Sequence, residues 1–361
     1  MKKILFIATI PSFLNAFMVN KFEILHELGY EIHAAVGSVH DLENKIPSYV
    51  KMHYLSIQRT PFSLKNYSAY KELIQLINSK NIDIIDCHTP VGGVLGRLVA
   101  YKTSKFCIYT AHGFHFYKGA PLLNWLIYYP IEKWLSKYTD ILITINTEDY
   151  ARANKNFYMK RLEYVPGIGI NINEINKTVF NKEEKCKELG ISSTKPIVVS
   201  VGELNKNKNH KIVLKALKNI KVPYTFLICG EGPLKDELYQ LAKRYHVNLK
   251  LIGFRHDVIE ILKCSDLFVF PSYREGLPVS LMEAIACNKT CIASNIRGCK
   301  DLLEEEYLFK VDDIEVITKL IKDNLERVSI KEEYKSKKIE KFDINVVNKI
   351  MNNIYQMEGR M

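Results

Sequence analysis

Continuous apolar runs alternate with amphipathic stretches along the chain, and the alternation restarts once. Strand-like ILFIATI (4–10) precedes Leu14, Phe17, Met18, Phe22, Leu25 and Leu28, whose three- and four-residue spacings predict a helix that Gly29 stops. EIHAAVG (31–37) is the second strand, so the chain opens as β-α-β. IDIIDC (82–87), FCIYT (106–110) and DILITI (140–145) follow with helical stretches between them. This order predicts a parallel, doubly wound sheet for the first half.

PIVVSVG (196–202) begins the pattern again. A helix near 210–220, the strand YTFLICG (224–230), a helix from Pro233, LKLIG (249–253), DLFVF (266–270), a helix over 279–287 and TCIAS (290–294) complete it. Two similar α/β domains are expected, with ligands at the carboxyl ends of their strands. The stretch from Val165-Pro166-Gly167-Ile168-Gly169 to about Thr194 is the join. The first domain takes residues 1–170 and the second 171–344, and a C-terminal helix at about 345–361 packs back on the first.

One segment carries specific chemistry. In FPSYREGLPVSLMEA (270–284), Glu275 precedes a helix start and Glu283 lies within the helix, with Gly276-Leu277-Pro278 as the turn between strand and helix. Free N–H groups and the positive dipole end at that start attract phosphate, and carboxylates accept hydrogen bonds from hydroxyls. With the span counted as helix, at about 1.5 Å per residue, the two Glu backbones lie about 12 Å apart, which suits two sugar rings joined through a diphosphate. A nucleotide-sugar is the natural ligand.

Composition narrows the alternatives. The chain has 361 residues, 47% hydrophobic and 25% charged, as expected of a soluble globular protein large enough for two cores. No apolar run reaches the roughly 18 residues of a membrane helix. MKKILFIATI has a short apolar part and no small-residue cleavage site before Pro11-Ser12-Phe13, so it reads as a first buried strand. The eight cysteines show no paired CxxC spacing, which argues for buried reduced thiols in a cytoplasmic protein and against zinc. A net charge of +11 permits attraction to anionic lipid or a polyphosphate substrate, or is a solvated lysine-rich surface. With no aromatic RNP-type motif or Arg-rich arm, nucleic acid is not expected.

The motif set resembles the retaining family-4 glycosyltransferases of the GT-B fold, in particular those of bacterial capsule, exopolysaccharide and O-chain assembly. HTPVGGVLGR (88–97), YTAHGFHFYKGAP (109–121), ITINTEDY (143–150), VPGIGI (165–170), SVGELNKNKNH (200–210), CGEGP (229–233) and PSYREGLPVSLMEA (271–284) carry the resemblance in order. It implies two Rossmann-like domains facing across a cleft. It also implies transfer of a hexose or N-acetylhexosamine from a UDP-sugar to a polyprenyl-diphosphate-linked saccharide, at the inner face of the membrane and with retention. By this resemblance Glu275 contacts donor-sugar hydroxyls and Glu283 the ribose, while Gly276, Leu277, Pro278 and Val279 hold the diphosphate and sugar. Lys208 is the diphosphate lysine, within a donor set that includes Gly202, Glu203, Asn205 and Gly230. Lys208 also reads as an exposed loop charge. His112 is the first-domain histidine that approaches the transferred sugar, with His115 as its competitor. Gly92 and Gly93 either let backbone approach the acceptor or form a helix-start turn.

Two positions depart from the family pattern. Glu203 stands where many relatives carry Arg, so a second diphosphate cation is expected from Arg274 or Arg255; Asp257 caps the following helix. Pro11-Ser12-Phe13 replaces the glycine pair often seen after the first strand. No D-x-D pair is present, so neither metal nor other cofactor is expected. The aromatic stretch 121–138, with Trp125, Tyr128, Tyr129 and Trp134 beside Lys118, Lys133 and Lys137, is either a membrane-resting face or a core helix. A UDP-N-acetylglucosamine epimerase of the same fold and a non-catalytic subunit of a polysaccharide assembly complex are the competing readings.

Overall fold

The computed structural model describes residues 1–37, 45–327 and 338–357. The chain divides into two compact units, Met1–Ile168 with Asn345–Met361, and Gly169–Ile344. Unit 1 runs β1 (Lys3–Ile7), α1 (Pro11–Phe17), α2 (Val19–Glu27), β2 (Glu31–Val36), β3 (Lys51–Tyr54), α3 (Lys65–Lys80), β4 (Ile84–His88), α4 (Pro90–Thr103), β5 (Phe106–Ala111), α5 (Leu122–Leu135), β6 (Ile141–Thr144), α6 (Thr147–Asn156) and β7 (Arg161–Tyr164). Unit 2 runs α7 (Ile172–Lys177), α8 (Lys182–Leu189), β8 (Ile197–Val201), α9 (His210–Leu217), β9 (Thr225–Cys229), α10 (Lys235–Tyr245), β10 (Leu249–Leu251), α11 (Val258–Cys264), β11 (Leu267–Phe270), α12 (Val279–Ala286), β12 (Thr290–Ser294), α13 (Cys299–Leu302), β13 (Leu308–Phe309) and α14 (Ile314–Arg327). The last helix, α15 (Ile344–Gln356), packs in unit 1.

Among the described residues the first sheet has order β3-β2-β1-β4-β5-β6-β7 and the second β10-β9-β8-β11-β12-β13. Every pairing between these strands is parallel, with Ile4 opposite Ile32 and Ile84, and Leu267 opposite Val198 and Thr290. Parallel sheets buried on both faces need apolar side chains on both, which explains why the central strands read as continuous apolar runs. Three edge or near-edge strands, β3, β7 and β13, had no such signal: KMHY and RLEY are half-exposed and LF is only two residues.

The single helix expected over 14–28 is two. α1 begins at Pro11, whose fixed φ suits a first turn, and α2 begins after Met18. Met18, Phe22 and Leu25 fill the core with Phe6 and Ile32, joined by Val347, Met351, Ile354 and Tyr355 of α15. Where the chain enters and leaves unit 2 the two segments are bonded, Ile170 N–H to Phe342 O at 2.9 Å and Ile344 N–H to Ile170 O at 2.9 Å.

Each sheet has a switch point where strand order reverses, between β1 and β4 and between β8 and β11. Ligands of open α/β sheets bind outside the carboxyl ends of the strands at such points.

Candidate functional site

In unit 2 the switch point is filled by residues from the loops after β8 and β11. Lys208 Nζ lies 2.7 Å from Glu275 Oε1 and 4.9 Å above the Phe270 ring, and its aliphatic stem packs on Gly202. Asn207 braces the same loop: its side-chain amide donates to Arg274 O at 3.1 Å, and its own carbonyl accepts from Tyr273 N–H at 2.8 Å. Asn205 accepts from Lys208 N–H at 3.0 Å and donates to Glu203 at 2.9 Å. One cation and one carboxylate are thereby held together, both about one-fifth exposed.

The helix α12 starts at Val279 with Pro278 as its N-cap. No side chain caps that start, and this leaves its N–H groups available to an anion. Glu283 sits one turn into the helix, half-buried and with no ion pair or side-chain hydrogen bond among the described residues. Burial pushes its carboxyl up to about 7.

Sequence reasoning missed the support behind this loop. Arg297, buried in the β12–α13 connection, donates from Nε to Glu275 O at 3.0 Å. The next residue, Gly298, has φ +77° and lies so close that a Cβ there would sit 2.4 Å from Gly276 O. Gly230 is equally confined, since a Cβ would fall 2.0 Å from Gly202 O. The short IRGC stretch (296–299) has no hydrophobic period, so nothing local in the sequence marks it.

The expected second cation finds different settings. Arg255 is paired with Asp257 at 2.6 Å and with Glu188, and Lys185 joins the same cluster at 2.8 Å from Asp257. Two carboxylates thus neutralise Arg255. Asp257 does precede α11, but it makes no capping hydrogen bond, because Arg255 and Lys185 take its carboxylate and hold it well below the usual range. Arg274 is exposed beside Glu275, and Glu203 is exposed at the end of β8.

In unit 1 the switch point brings together the ends of β1, β4 and β5. Thr9 and Thr89 hydroxyls meet at 2.6 Å across it, and Thr89 has φ +63° and ψ 159°, a conformation costly for a β-branched residue. His112 follows β5. Its Nε2 is 3.2 Å from His88 Nδ1, and Phe13 of α1 packs edge-on against its ring at 4.9 Å. Burial, with His88 and Lys21 nearby, lowers its pKa well below the ordinary value, so the ring is neutral. His115 instead stacks on Tyr128 at 4.6 Å and its carbonyl accepts from Asn124. Gly92 and Gly93 are buried inside α4, where a Cβ would meet Ile7 O at 3.1 Å and the Tyr109 ring at 2.5 Å respectively; their missing side chains serve helix packing.

All eight cysteines are buried and free, and no cluster of three or more metal-ligating side chains occurs among the described residues. No described helix is long and apolar enough to cross a membrane. The aromatic helix α5 divides by face. Trp125, Tyr128 and Tyr129 pack on the core, whereas Leu122, Leu123, Leu126, Ile131 and Trp134 are exposed.

Two parallel-sheet α/β units, each with polar groups gathered at its switch point, define a protein of the GT-B fold class. Residues 181–341 match the model for glycosyl transferases group 1 and residues 3–146 that for glycosyl transferase 4-like proteins. EpsD of Bacillus subtilis, named as a glycosyltransferase, is 37% identical over 326 residues, 86% of this chain and 84% of that protein. An Escherichia coli UDP-Gal:alpha-D-GlcNAc-diphosphoundecaprenol alpha-1,3-galactosyltransferase is 28% identical over 312 residues, 82% of this chain and 80% of its own. The solved structure of Anabaena HepE with UDP and glucose matches with a TM-score of 0.76 at 16% identity over 100% of both chains. The chain belongs to this glycosyltransferase family and is an enzyme of that class.

Proposed function

We propose that the enzyme transfers a hexose or N-acetylhexosamine from a UDP-sugar to a polyprenyl-diphosphate-linked saccharide in surface polysaccharide synthesis, with retention at the anomeric carbon. The observation that carries the reading is the Lys208–Glu275 pair at 2.7 Å beside the uncapped start of α12, with Glu283 unpaired on the same helix. The E. coli relative's name supplies the donor and acceptor class. In this reading a bound donor parts the pair: Lys208 turns to the diphosphate, the α12 N–H groups take its oxygens, and Glu275 accepts from sugar hydroxyls. Glu283, held at about 7 by burial, gains ribose hydroxyls as donors and ionises on binding.

The glycosidic bond to UDP breaks as the acceptor hydroxyl attacks from the same face. The acceptor proton passes to the departing diphosphate oxygen, and Lys208 stabilises the charge developing there. Neutral His112 accepts a hydrogen bond beside the electron-poor anomeric carbon. No metal or protein base enters this scheme, and turnover is expected to persist in a chelator.

An acceptor of this kind is held in a bilayer, so the reading places the enzyme at the inner face of the membrane. The exposed stripe Leu122, Leu126 and Trp134, 73%, 65% and 47% accessible, supports that, as do Lys133 and Lys137, each 5.4 Å from the Tyr158 ring. The test is UDP release from a panel of UDP-sugars with and without an undecaprenyl-diphosphate saccharide. Release that requires the acceptor and yields an α-linked product from an α-linked donor supports the reading. Release without acceptor that yields free, epimerised sugar overturns it.

A further inference from the structure

Behind His112, unit 1 contains a line of buried polar groups that the reaction scheme does not use. Tyr355 of α15 donates its hydroxyl to Asp86 Oδ2 at 2.8 Å. Asp86 Oδ1 lies 3.1 Å from His88 Nε2, and His88 Nδ1 lies 3.2 Å from His112 Nε2. Asp86 and His88 are wholly inaccessible. The Asp86–His88 contact is off the ideal hydrogen-bond line, yet neither facing atom has another partner. Lys21 of α2, 6% exposed, supplies the compensating positive charge that favours the ionised carboxylate. Phe6 stacks on the His88 ring at 5.8 Å and Phe13 packs against it at 5.6 Å with a tilt of 38°, so two aromatic rings brace the imidazole.

These contacts constrain where protons sit. A lone pair facing a carboxylate oxygen across 3.1 Å inside a core would be repelled, so His88 carries its proton on Nε2. A neutral His88 then has only a lone pair at Nδ1, and the atom facing it, His112 Nε2, must be the donor. His112 is left with a bare Nδ1. We propose that Asp86 and His88 are positioning residues that hold His112 in the Nε2–H tautomer, so that Nδ1 is offered to a substrate hydroxyl as an acceptor. Tyr355 anchors the far end of this relay, which makes the C-terminal helix part of the first unit's chemistry. The functional half of the proposal rests on the sugar-facing reading of His112; the tautomer does not.

The test is two-bond proton–nitrogen NMR of the full chain labelled in histidine, with His112 assigned by loss of its signals in His112→Gln. At pH 7 the expected pattern is a neutral ring protonated on Nε2, and a ring protonated on Nδ1 or on both nitrogens overturns the proposal. In His88→Phe, which keeps an aromatic ring in contact with Phe6 and Phe13, His112 should become a mixture of tautomers. Turnover should fall about ten- to a hundredfold, the size that loss of an orienting partner has for other histidines, with donor KM nearly unchanged. An unmoved His112 spectrum in that variant sinks the relay. A moved spectrum with unchanged turnover overturns the positioning role and with it the sugar-facing reading. Tyr355→Phe removes one hydroxyl only, and should leave the His112 tautomer intact while weakening the relay's far end, read as faster hydrogen exchange of the His88 ring proton; an unchanged rate counts against the anchoring.

Discussion

At the scale of single residues the enzyme keeps two carboxylates in different states. Glu275 is partnered by Lys208 at 2.7 Å, whereas Glu283 faces its half-buried surroundings alone. Ion pairs with this degree of exposure contribute only about 0–1 kcal/mol to stability, but a preorganised charge at a departing group is worth about 10²–10³ in kcat. Lys208→Met and Glu275→Gln should therefore melt close to the parent while turnover falls by about two to three orders of magnitude; a melting shift with turnover preserved would make the pair a structural bridge. Glu283 gives a stability signature with a definite sign. Its carboxyl rises from an ordinary 4.5 to about 7 in the folded chain, so between those values the folded state binds more protons than the unfolded one. Stability is therefore lost as pH rises through that window and stays reduced above it. Glu283→Gln lacks the titration, and should gain melting temperature over the parent at pH 8.5 but not at pH 4.5. Equal shifts at both pH values would refute the assignment.

At the scale of elements, the loops after the strands hold the candidate site and glycines set how closely they approach. Gly298 presses the β12–α13 loop against Gly276, with Arg297 bonded to Glu275 O beside it. Gly298→Ala must both leave φ +77° and move backbone atoms at 2.4 Å, so a loss of about 1–3 kcal/mol in urea unfolding is expected, accompanied by a raised donor KM because Gly276 is displaced. Helix α5 divides between core and solvent. Its inner face is anchored by Glu132, which is 2.7 Å from Arg97, and its outer face shows leucine and tryptophan to solvent. A large side chain fully removed from water contributes about 1.5–3 kcal/mol, and a lysine near an anionic surface about 1 kcal/mol. Replacing Leu122, Leu126 and Trp134 by Ser should lower partition onto anionic vesicles at low salt by more than about tenfold while leaving the melting temperature in place. Vesicle binding that survives the triple change would remove the face from consideration.

At the scale of the whole molecule, the chain leaves unit 1 after Ile168 and returns at Asn345 to supply α15. Val347, Met351, Ile354 and Tyr355 are all at most 2% exposed, and loss of even one large core side chain costs about 2–5 kcal/mol. Ending the chain at Ile344 should thus abolish hydrogen-exchange protection in β1 and β2 and spare β8 and β9; equal loss in both units would mean that they do not fold separately. A UDP-sugar at a hundred times its Kd should stabilise the folded protein by about 2.7 kcal/mol. The central strands were legible in the sequence because strands buried on both faces must be apolar throughout, and the E-x7-E stretch was legible because a helix start with carboxylates at that spacing is a local feature. β3, β7 and β13 were not, since half-exposed or two-residue strands carry no period. The sequence by itself determined the two α/β halves and the placement of Glu275 before a helix start with Glu283 inside that helix, because hydrophobic period and helix-end signals act between near neighbours. Only the tertiary structure decided that Arg297 backs Glu275, that Glu188 and Lys185 join Arg255 and Asp257, and that Tyr355, Asp86, His88 and His112 form one line. Those residues lie up to 269 positions apart, and nothing along the chain records which strand ends a fold will bring together.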